Sequence, residues 1–190
     1  TVRIIVREIA VDTSRTSEII SAGLSLNVVM TLFSALCVAC LIYIFGINKN
    51  SLVLSIYMAL FAQAFLVMVG TINAGFIANE VAKYAALTKI INRVVVVAVV
   101  LIAGLLSQDL LLLFIGIFIA NLIGLALAFV ILRFNGFVSI RKQKILSDLK
   151  YLFVESYPIA VVMFLVQGYT YLNTFLLRFF QSNWHVAMYE

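Results

Sequence analysis

The chain has 190 residues, of which 65% are hydrophobic and 11% are charged, and its formal net charge is +5. Soluble domains are about half apolar and about one quarter charged, and a fold of this size leaves much of its surface in water. The composition therefore excludes an ordinary soluble domain. Nucleic-acid binding is not expected either, because the basic residues lie in the gaps between apolar runs, where anionic lipid headgroups would meet them.

Five apolar runs follow one another, and a membrane-spanning helix needs about 20 residues, within a range of about 17 to 25. Four of the runs satisfy this easily, and the third is short. Barrel strands would alternate polar and apolar residues, which these runs do not, so the predicted fold class is an all-α polytopic transmembrane helix bundle. The predicted order is a cytoplasmic loop 1–22, spans 23–47 and 52–77, a cytoplasmic loop 78–89, spans 90–106 and 110–132, a basic amphipathic cytoplasmic segment 133–150, a span 151–180, and an extracytoplasmic loop with the start of a further span 181–190.

The basic residues predict the orientation of these spans. If the N-terminal segment and the gaps near 79–93 and 133–150 share one side of the membrane, that side holds 11 of the 13 Lys and Arg residues. Cytoplasmic loops carry the excess of Lys and Arg, so we expect this side to be cytoplasmic in a multi-pass protein of the plasma or inner membrane. The 11 residues are Arg3, Arg7, Arg15, Lys83, Lys89, Arg93, Arg133, Arg141, Lys142, Lys144 and Lys150.

Two patterns concern the shape of single spans. Small residues recur every four positions in the fourth span, at Gly116, Ala120, Gly124 and Ala128, and such a stripe lets another helix approach closely. Near the fifth span, Pro158 suits either the first turn of the helix or a kink within it. We expect the first turn, because Glu155 and Ser156 just before it are typical of a helix start.

A stripe of polar residues runs along the fifth span. Polar groups inside a membrane are costly and usually face protein or water, so the stripe is interpreted as lining a hydrophilic cavity, with Arg178 available to an anionic group such as a phosphate. The alternative is a packed stripe whose arginine reaches the headgroups. The members, at steps of three or four, are Gln167, Thr170, Tyr171, Thr174 and Arg178.

Isolated polar residues in the other spans are weaker candidates. Asn27 begins a short series with Thr31 and Ser34 in the first span, the second span has Gln63 and Asn73, and the fourth has Asn121. Such residues more often join helices to one another than contact a substrate. We nevertheless include Asn27 and Asn121 in the predicted substrate cavity.

No set of residues suggests catalysis, a resident metal or a cofactor. The chain has one histidine and two cysteines, and Cys37 and Cys40 form a Cys-x-x-Cys pattern inside an apolar run. A redox or zinc site needs an exposed thiolate or further ligands. The two cysteines are therefore predicted to be small buried residues of a helix, and the protein is not expected to be an enzyme.

Several local stretches resemble the polysaccharide flippases known as Wzx-like proteins. The opening Thr1–Ala10, with Arg7-Glu8-Ile9-Ala10, is similar to the loop after that family's second helix. Ser156-Tyr-Pro158 resembles the start of its seventh helix, and Asn173-Thr-Phe-Leu-Leu177 resembles a later part, where the family often has Asp in place of Asn173. Val186-Ala-Met-Tyr189 resembles the start of the eighth helix, with Ala187 in place of Gly.

The resemblance implies a fragment of a larger transporter of the multidrug/oligosaccharidyl-lipid/polysaccharide exporter superfamily. Its members have twelve or more helices in two lobes around a central cavity. The implied function is the flipping of a polyprenyl-diphosphate-linked oligosaccharide by alternating access. The implied partners are this lipid-linked substrate, the membrane lipids and the remainder of the same transporter.

Two other functions stay open on the sequence. A multidrug or small-cation exporter of the same superfamily would need an intramembrane carboxylate, and Glu155 and Asp109 lie at the end of a span and in a turn. A membrane scaffold that only holds a partner would need no polar cavity.

Overall fold

The computed structural model describes the backbone of residues 2–106, 110–134 and 145–180, and the side chains in these ranges except at 106, 110, 145–149 and 171–180. Throughout these ranges the regular structure is helical. A short 3-10 turn, Thr13–Arg15, follows the first helix. The helices are α1 (Val2–Val11), α2 (Thr16–Ile44), α3 (Asn50–Ala78), α4 (Ala82–Leu106), α5 (Leu110–Phe134) and α6 (Ile145–Phe180).

Five of these helices, α2 to α6, are long and apolar enough to cross a membrane. Their spanning segments are 21 to 32 residues long, which covers the length that the hydrocarbon core requires. The predicted all-α bundle with five spans is therefore confirmed, and the chain is a multi-pass membrane protein.

The chain divides into two compact units, Thr1–Leu152 and Phe153–Glu190. In the first unit α3 is central, because α1, α2, α4 and α5 all pack against it. The buried core of this unit includes Phe76 and Ile72 of α3, both without exposed surface. Phe65 of α3 also meets Phe118 of α5, with ring centroids 5.3 Å apart. The second unit contains α6 from Phe153 onward.

The small-residue stripe on α5 packs as predicted. Ala120 and Ala128 have no exposed surface. A Cβ at Gly116 would collide with Val99 of α4, and one at Gly124 would lie 2.8 Å from the Nδ2 atom of Asn92. The stripe thus brings α4 close to α5, and this expectation is confirmed.

The N-terminal segment differs from the predicted loop 1–22. Residues Val2–Val11 form α1, and Ile4, Ile5 and Ile9 on it are buried. The Cδ1 atom of Ile5 lies 2.9 Å from where a Cβ of Gly23 would stand. Ile5 and Ile9 are one helical turn apart, so they share a face, and that face packs on α2 and α3.

The start of the fifth span also differs from the prediction. Helix α6 begins at Ile145 and continues through Pro158, so the expectation of Pro158 in the first turn is wrong. There is likewise no helix boundary between the end of the 133–150 segment and the span that follows it, because Ile145 to Phe180 is one helix. Residues 135–144, which hold much of the basic segment, lie outside the described residues.

The two cysteines were expected to be buried, and this is wrong. Cys37 and Cys40 are both exposed on α2 and are free thiols. The surrounding surface of α2 is also apolar and exposed, for example at Leu36 and Leu41. The cysteines are therefore surface residues of an apolar helix in this unit.

Candidate functional site

A groove lies between α2 and α3, with a volume of about 290 Å³, and four polar and four apolar residues line it. Four of the polar residues that the sequence placed in the first two spans lie together along it. They are Asn27, Thr31, Ser34 and Gln63. We call this the α2–α3 groove.

The α2–α3 groove is shaped by hydrogen bonds that are already formed. The Asn27 Nδ2 atom donates to Thr71 Oγ1 of α3 at 2.8 Å, which fixes the amide between the two helices. The Thr31 hydroxyl donates to the backbone oxygen of Asn27 at 2.7 Å. Amides and hydroxyls both donate and accept, so the polar residues of the groove retain hydrogen-bonding capacity beside these two bonds.

A second cavity, of about 620 Å³, lies between α3 and α4. Asn73 of α3 and Asn92 of α4 line it, and these are only 2% and 3% exposed. Lys89 and Arg93, which are exposed, line it as well. We call this the α3–α4 cavity.

The amides of the α3–α4 cavity are incompletely hydrogen-bonded. The Thr88 hydroxyl donates to Asn73 Oδ1 at 2.7 Å, but Asn73 Nδ2 has no partner among the described residues. Both side-chain polar atoms of Asn92 are buried without a partner in the same part of the chain. Buried polar groups are nearly always hydrogen-bonded, so these three atoms require an explanation.

Sequence reasoning did not single out Asn92, Thr88, Lys89 or Arg93 as site residues. A signal was present, because Lys89, Asn92 and Arg93 follow one another at positions i, i+3 and i+4. Residues at that spacing share one face of a helix. The charge of Lys89 and Arg93 has an ordinary explanation in topology, which does not reveal their place beside a buried amide.

The structure separates the predicted cavity residues. Asn27 lines the α2–α3 groove. Asn121 of α5 is 5% exposed, and its Oδ1 atom has no partner among the described residues. It does not line either cavity described above.

The polar stripe of α6 belongs to the second unit and is described by itself. Gln167 and Thr170 are exposed, but so is every other residue from 157 to 170, and exposure does not distinguish the stripe there. The Thr170 hydroxyl donates to the backbone oxygen of Val166 at 3.0 Å. The side chains of Tyr171, Thr174 and Arg178 lie outside the described residues, as does the 181–190 segment, so the stripe stays a prediction.

A polar cluster joins α1 to the beginning of α6 within the first unit. Arg7 Nη2 lies 2.9 Å from Glu8 Oε1, and this hydrogen-bonded carboxylate raises the pKa of Arg7 above its ordinary value. The Tyr151 hydroxyl donates to Glu8 Oε1 at 3.1 Å. The Arg-Glu pair of the opening motif thus has a structural role, since it ties α1 to Tyr151.

The two cavities provide amide, hydroxyl and cationic groups, which bind ligands. Among the described residues, no group of three or more His, Cys, Asp or Glu side chains could hold a metal ion. The cavities lie between membrane helices, and their side chains suit the recognition of polar and anionic groups.

Comparison with known proteins agrees with the resemblance noted in the sequence. A family model described as polysaccharide biosynthesis protein matches residues 2–190. No curated protein and no solved structure matches the chain. Because the family match extends over nearly all of the sequence, from α1 to the residues beyond α6, the chain belongs to the polysaccharide biosynthesis protein family.

Proposed function

We propose that the chain is part of a transporter that flips a polyprenyl-diphosphate-linked oligosaccharide from the inner to the outer leaflet of the cell membrane for surface polysaccharide synthesis. The protein acts as a transporter and not as an enzyme. Its N-terminus is cytoplasmic, as the distribution of Lys and Arg favours. Its partners are the membrane lipids, the lipid-linked substrate and the rest of the same transporter.

The observation that carries this proposal is the α2–α3 groove. Its polar residues Asn27, Thr31, Ser34 and Gln63 are all neutral, and among the described residues that line it none is charged. Sugar hydroxyls form hydrogen bonds with neutral amides and hydroxyls, whereas an exporter of small cations needs a carboxylate. The groove therefore favours a sugar-bearing substrate over a cation.

The proposed mechanism is alternating access. Two helix bundles rock around a cavity that accepts the sugar and the phosphates, while the lipid tail stays in the bilayer. The amides and hydroxyls of the groove replace part of the hydration shell that the sugar loses. Each such replacement lowers the cost of moving a polar headgroup through hydrocarbon.

The test is a double substitution, Thr31→Val with Gln63→Leu, in the complete protein. We expect it to reduce surface polysaccharide in cells that depend on this transporter about tenfold, because two lost hydrogen bonds of about 0.7 kcal/mol each amount to that factor. Cys37→Leu is the control, since Cys37 is exposed on the same helix and does not line the groove. Undiminished polysaccharide at normal protein abundance would contradict the sugar-binding role of the groove.

A second test concerns Arg178. If it binds the substrate phosphates, Arg178→Ala in the complete protein abolishes or strongly reduces export, whereas Arg178→Lys keeps part of it because a positive charge remains. Export that is unaffected by Arg178→Ala would remove this residue from the site. The measurement is the amount of surface glycan per cell at matched protein abundance.

A further inference from the structure

The two walls of the α2–α3 groove have opposite polarity. Each helix contributes residues at the spacing i, i+3, i+4 and i+7, which places them on one helical face. On α2 the residue at i+3, Met30, is apolar and the other three are polar, whereas on α3 the residue at i+3, Gln63, is polar and the other three are apolar. A molecule in the groove therefore meets a mostly polar wall on one side and a mostly apolar wall on the other. The α2 wall consists of Asn27, Met30, Thr31 and Ser34, and the α3 wall consists of Leu60, Gln63, Ala64 and Val67.

Two polar side chains of the groove are accessible and still have their hydrogen-bonding groups available. Asn27 Nδ2 and the Thr31 hydroxyl already donate within the first unit. Ser34 and Gln63 are exposed, and neither side chain forms a hydrogen bond with another described residue. Gln63 lies near the middle of the membrane-spanning helix α3, where a polar group without a partner is costly. These two side chains are therefore suited to bind a ligand.

The apolar wall and the absence of charge narrow the class of ligand. Val67 is 43% exposed on the α3 wall, so a ligand can contact its side chain. A pyranose ring has C–H groups on its faces and hydroxyls around its edge, which matches one apolar wall and one polar wall. The volume of about 290 Å³ is at the lower end for ligand pockets, roughly 300–1,000 Å³, and suits one ring. None of the described residues that line the groove is charged, so a carboxylate placed there would lose its hydration without gaining a cation.

We propose that the α2–α3 groove is the subsite for a single neutral pyranose of the transported molecule and that it selects against acidic sugars such as uronates. The C–H face of the ring packs on Leu60 and Val67, and its hydroxyls bond to Ser34 and Gln63. This inference rests on the transport function proposed above, and it adds which class of sugar the groove accepts and how the ring is oriented.

The experiment measures binding to the purified complete protein in neutral detergent by native mass spectrometry. Three probes are titrated, namely polyprenyl diphosphate alone, polyprenyl-diphosphate glucose and polyprenyl-diphosphate glucuronate. We expect the glucose probe to bind about tenfold more tightly than the bare carrier, since two hydrogen bonds between neutral groups amount to that factor. The glucuronate probe should bind no more tightly than the bare carrier.

The three probes separate the subsite from the transport function. If the bare carrier binds but glucose adds no affinity, or if glucuronate adds as much as glucose, the subsite is overturned and the proposed transport of a polyprenyl-linked molecule is not. If none of the three probes binds, the transport function fails together with the subsite.

Variants test the two walls directly. Ser34→Ala with Gln63→Leu should bring the glucose probe within about twofold of the bare carrier, while Leu36→Ala, exposed on α2 and outside the groove, keeps the tenfold difference. Gln63→Lys should reverse the preference in favour of glucuronate, because an ammonium group pairs with a carboxylate. Affinity for the bare carrier reports whether each variant is folded. Should the double variant lose it, Ser34→Ala alone, with an expected loss of about threefold for glucose, decides the matter. Sugar preferences that none of these groove variants changes would overturn the proposal.

Discussion

The two sides of α3 carry polar residues in different states. On the side of α2, the Asn27 amide is already hydrogen-bonded to Thr71, and the α2–α3 groove is neutral. On the side of α4, three amide atoms are buried without a partner among the described residues, and Lys89 and Arg93 stand beside them. Both sides belong to one apolar helix whose composition does not distinguish them.

The difference teaches that buried polar groups of similar apolar helices can differ in whether their hydrogen bonds are formed. A satisfied amide contributes to helix association in a membrane, by about 0.6 kcal/mol on average. An unsatisfied amide in a cavity costs free energy until something binds it. Substitutions on the two sides should therefore destabilise the protein to different extents.

The largest loss of stability is expected where Gly124 of α5 packs against Asn92 of α4. Gly124→Leu forces a side chain into the space of Asn92, and overpacking of this kind costs about 3 kcal/mol. Gly104→Leu is the matched control, because nothing lies within 4 Å of a Cβ there. The midpoint of unfolding in sodium dodecyl sulfate should fall sharply for the first and hardly change for the second. Equal midpoints would show that α4 does not pack on α5 at Gly124.

A smaller loss of stability is expected when Asn73 Oδ1, which is hydrogen-bonded, loses its donor. Thr88→Val removes the hydroxyl that donates to Asn73 Oδ1 at 2.7 Å, and we expect a cost of about 1 kcal/mol, within the range for hydrogen bonds between membrane helices. Thr170→Val serves as the comparison, since that hydroxyl donates to its own helix. The measurement is the unfolding midpoint of the two variants at equal detergent composition.

On the α2 side of α3, the loss of the equivalent hydrogen bond should cost less free energy of unfolding. Thr71→Val removes the acceptor of Asn27 Nδ2, but Asn27 is only half-buried, so water or substrate in the groove can replace the lost bond. We expect about 0.5 kcal/mol in the same unfolding assay. A loss larger than that of Thr88→Val would reverse the comparison between the two sides.

The smallest loss of stability is expected at a contact outside both cavities. Tyr151→Phe removes a donor to Glu8 on an exposed surface, where such contacts contribute little. The unfolding midpoint should stay unchanged, and only the backbone amides of α1 should exchange faster with deuterium. Unchanged exchange throughout α1 would show that Tyr151 does not hold this helix in place.

Much of the fold is readable from the sequence, because a bilayer requires about 20 apolar residues for each crossing. The stripe from Gly116 to Ala128 is also readable, since small residues at every fourth position lie on one face. The buried face of α2 cannot be predicted from the sequence, because the helix is apolar all round. For this reason the prediction that Cys37 and Cys40 are buried is wrong. The error at α6 has another cause, because Glu155 and Ser156 are typical of a helix start but lie inside a helix that begins at Ile145.

The candidate site was only partly predictable for a related reason. Asn27 and Gln63 stand out in apolar spans, and the structure brings them together at the α2–α3 groove. Lys89 and Arg93 lie where a span meets its loop, so their charge has an ordinary explanation in topology. Only the packing of α4 against α3 and α5 places them beside buried amides.

The seating of Ile5 against Gly23 has a mechanical consequence. Ile19, Ile20 and Leu26 of α2 are buried near this contact, whereas the helix beyond Val28 is largely exposed within its unit. A helix that is held at one end moves most at its other end when it tilts. From Gly23 to Ser34 the helix rises about 16 Å, so a tilt of about 10° moves Ser34 by about 3 Å. A tilt of α2 by this amount is thus enough to widen the α2–α3 groove by about the width of a water molecule.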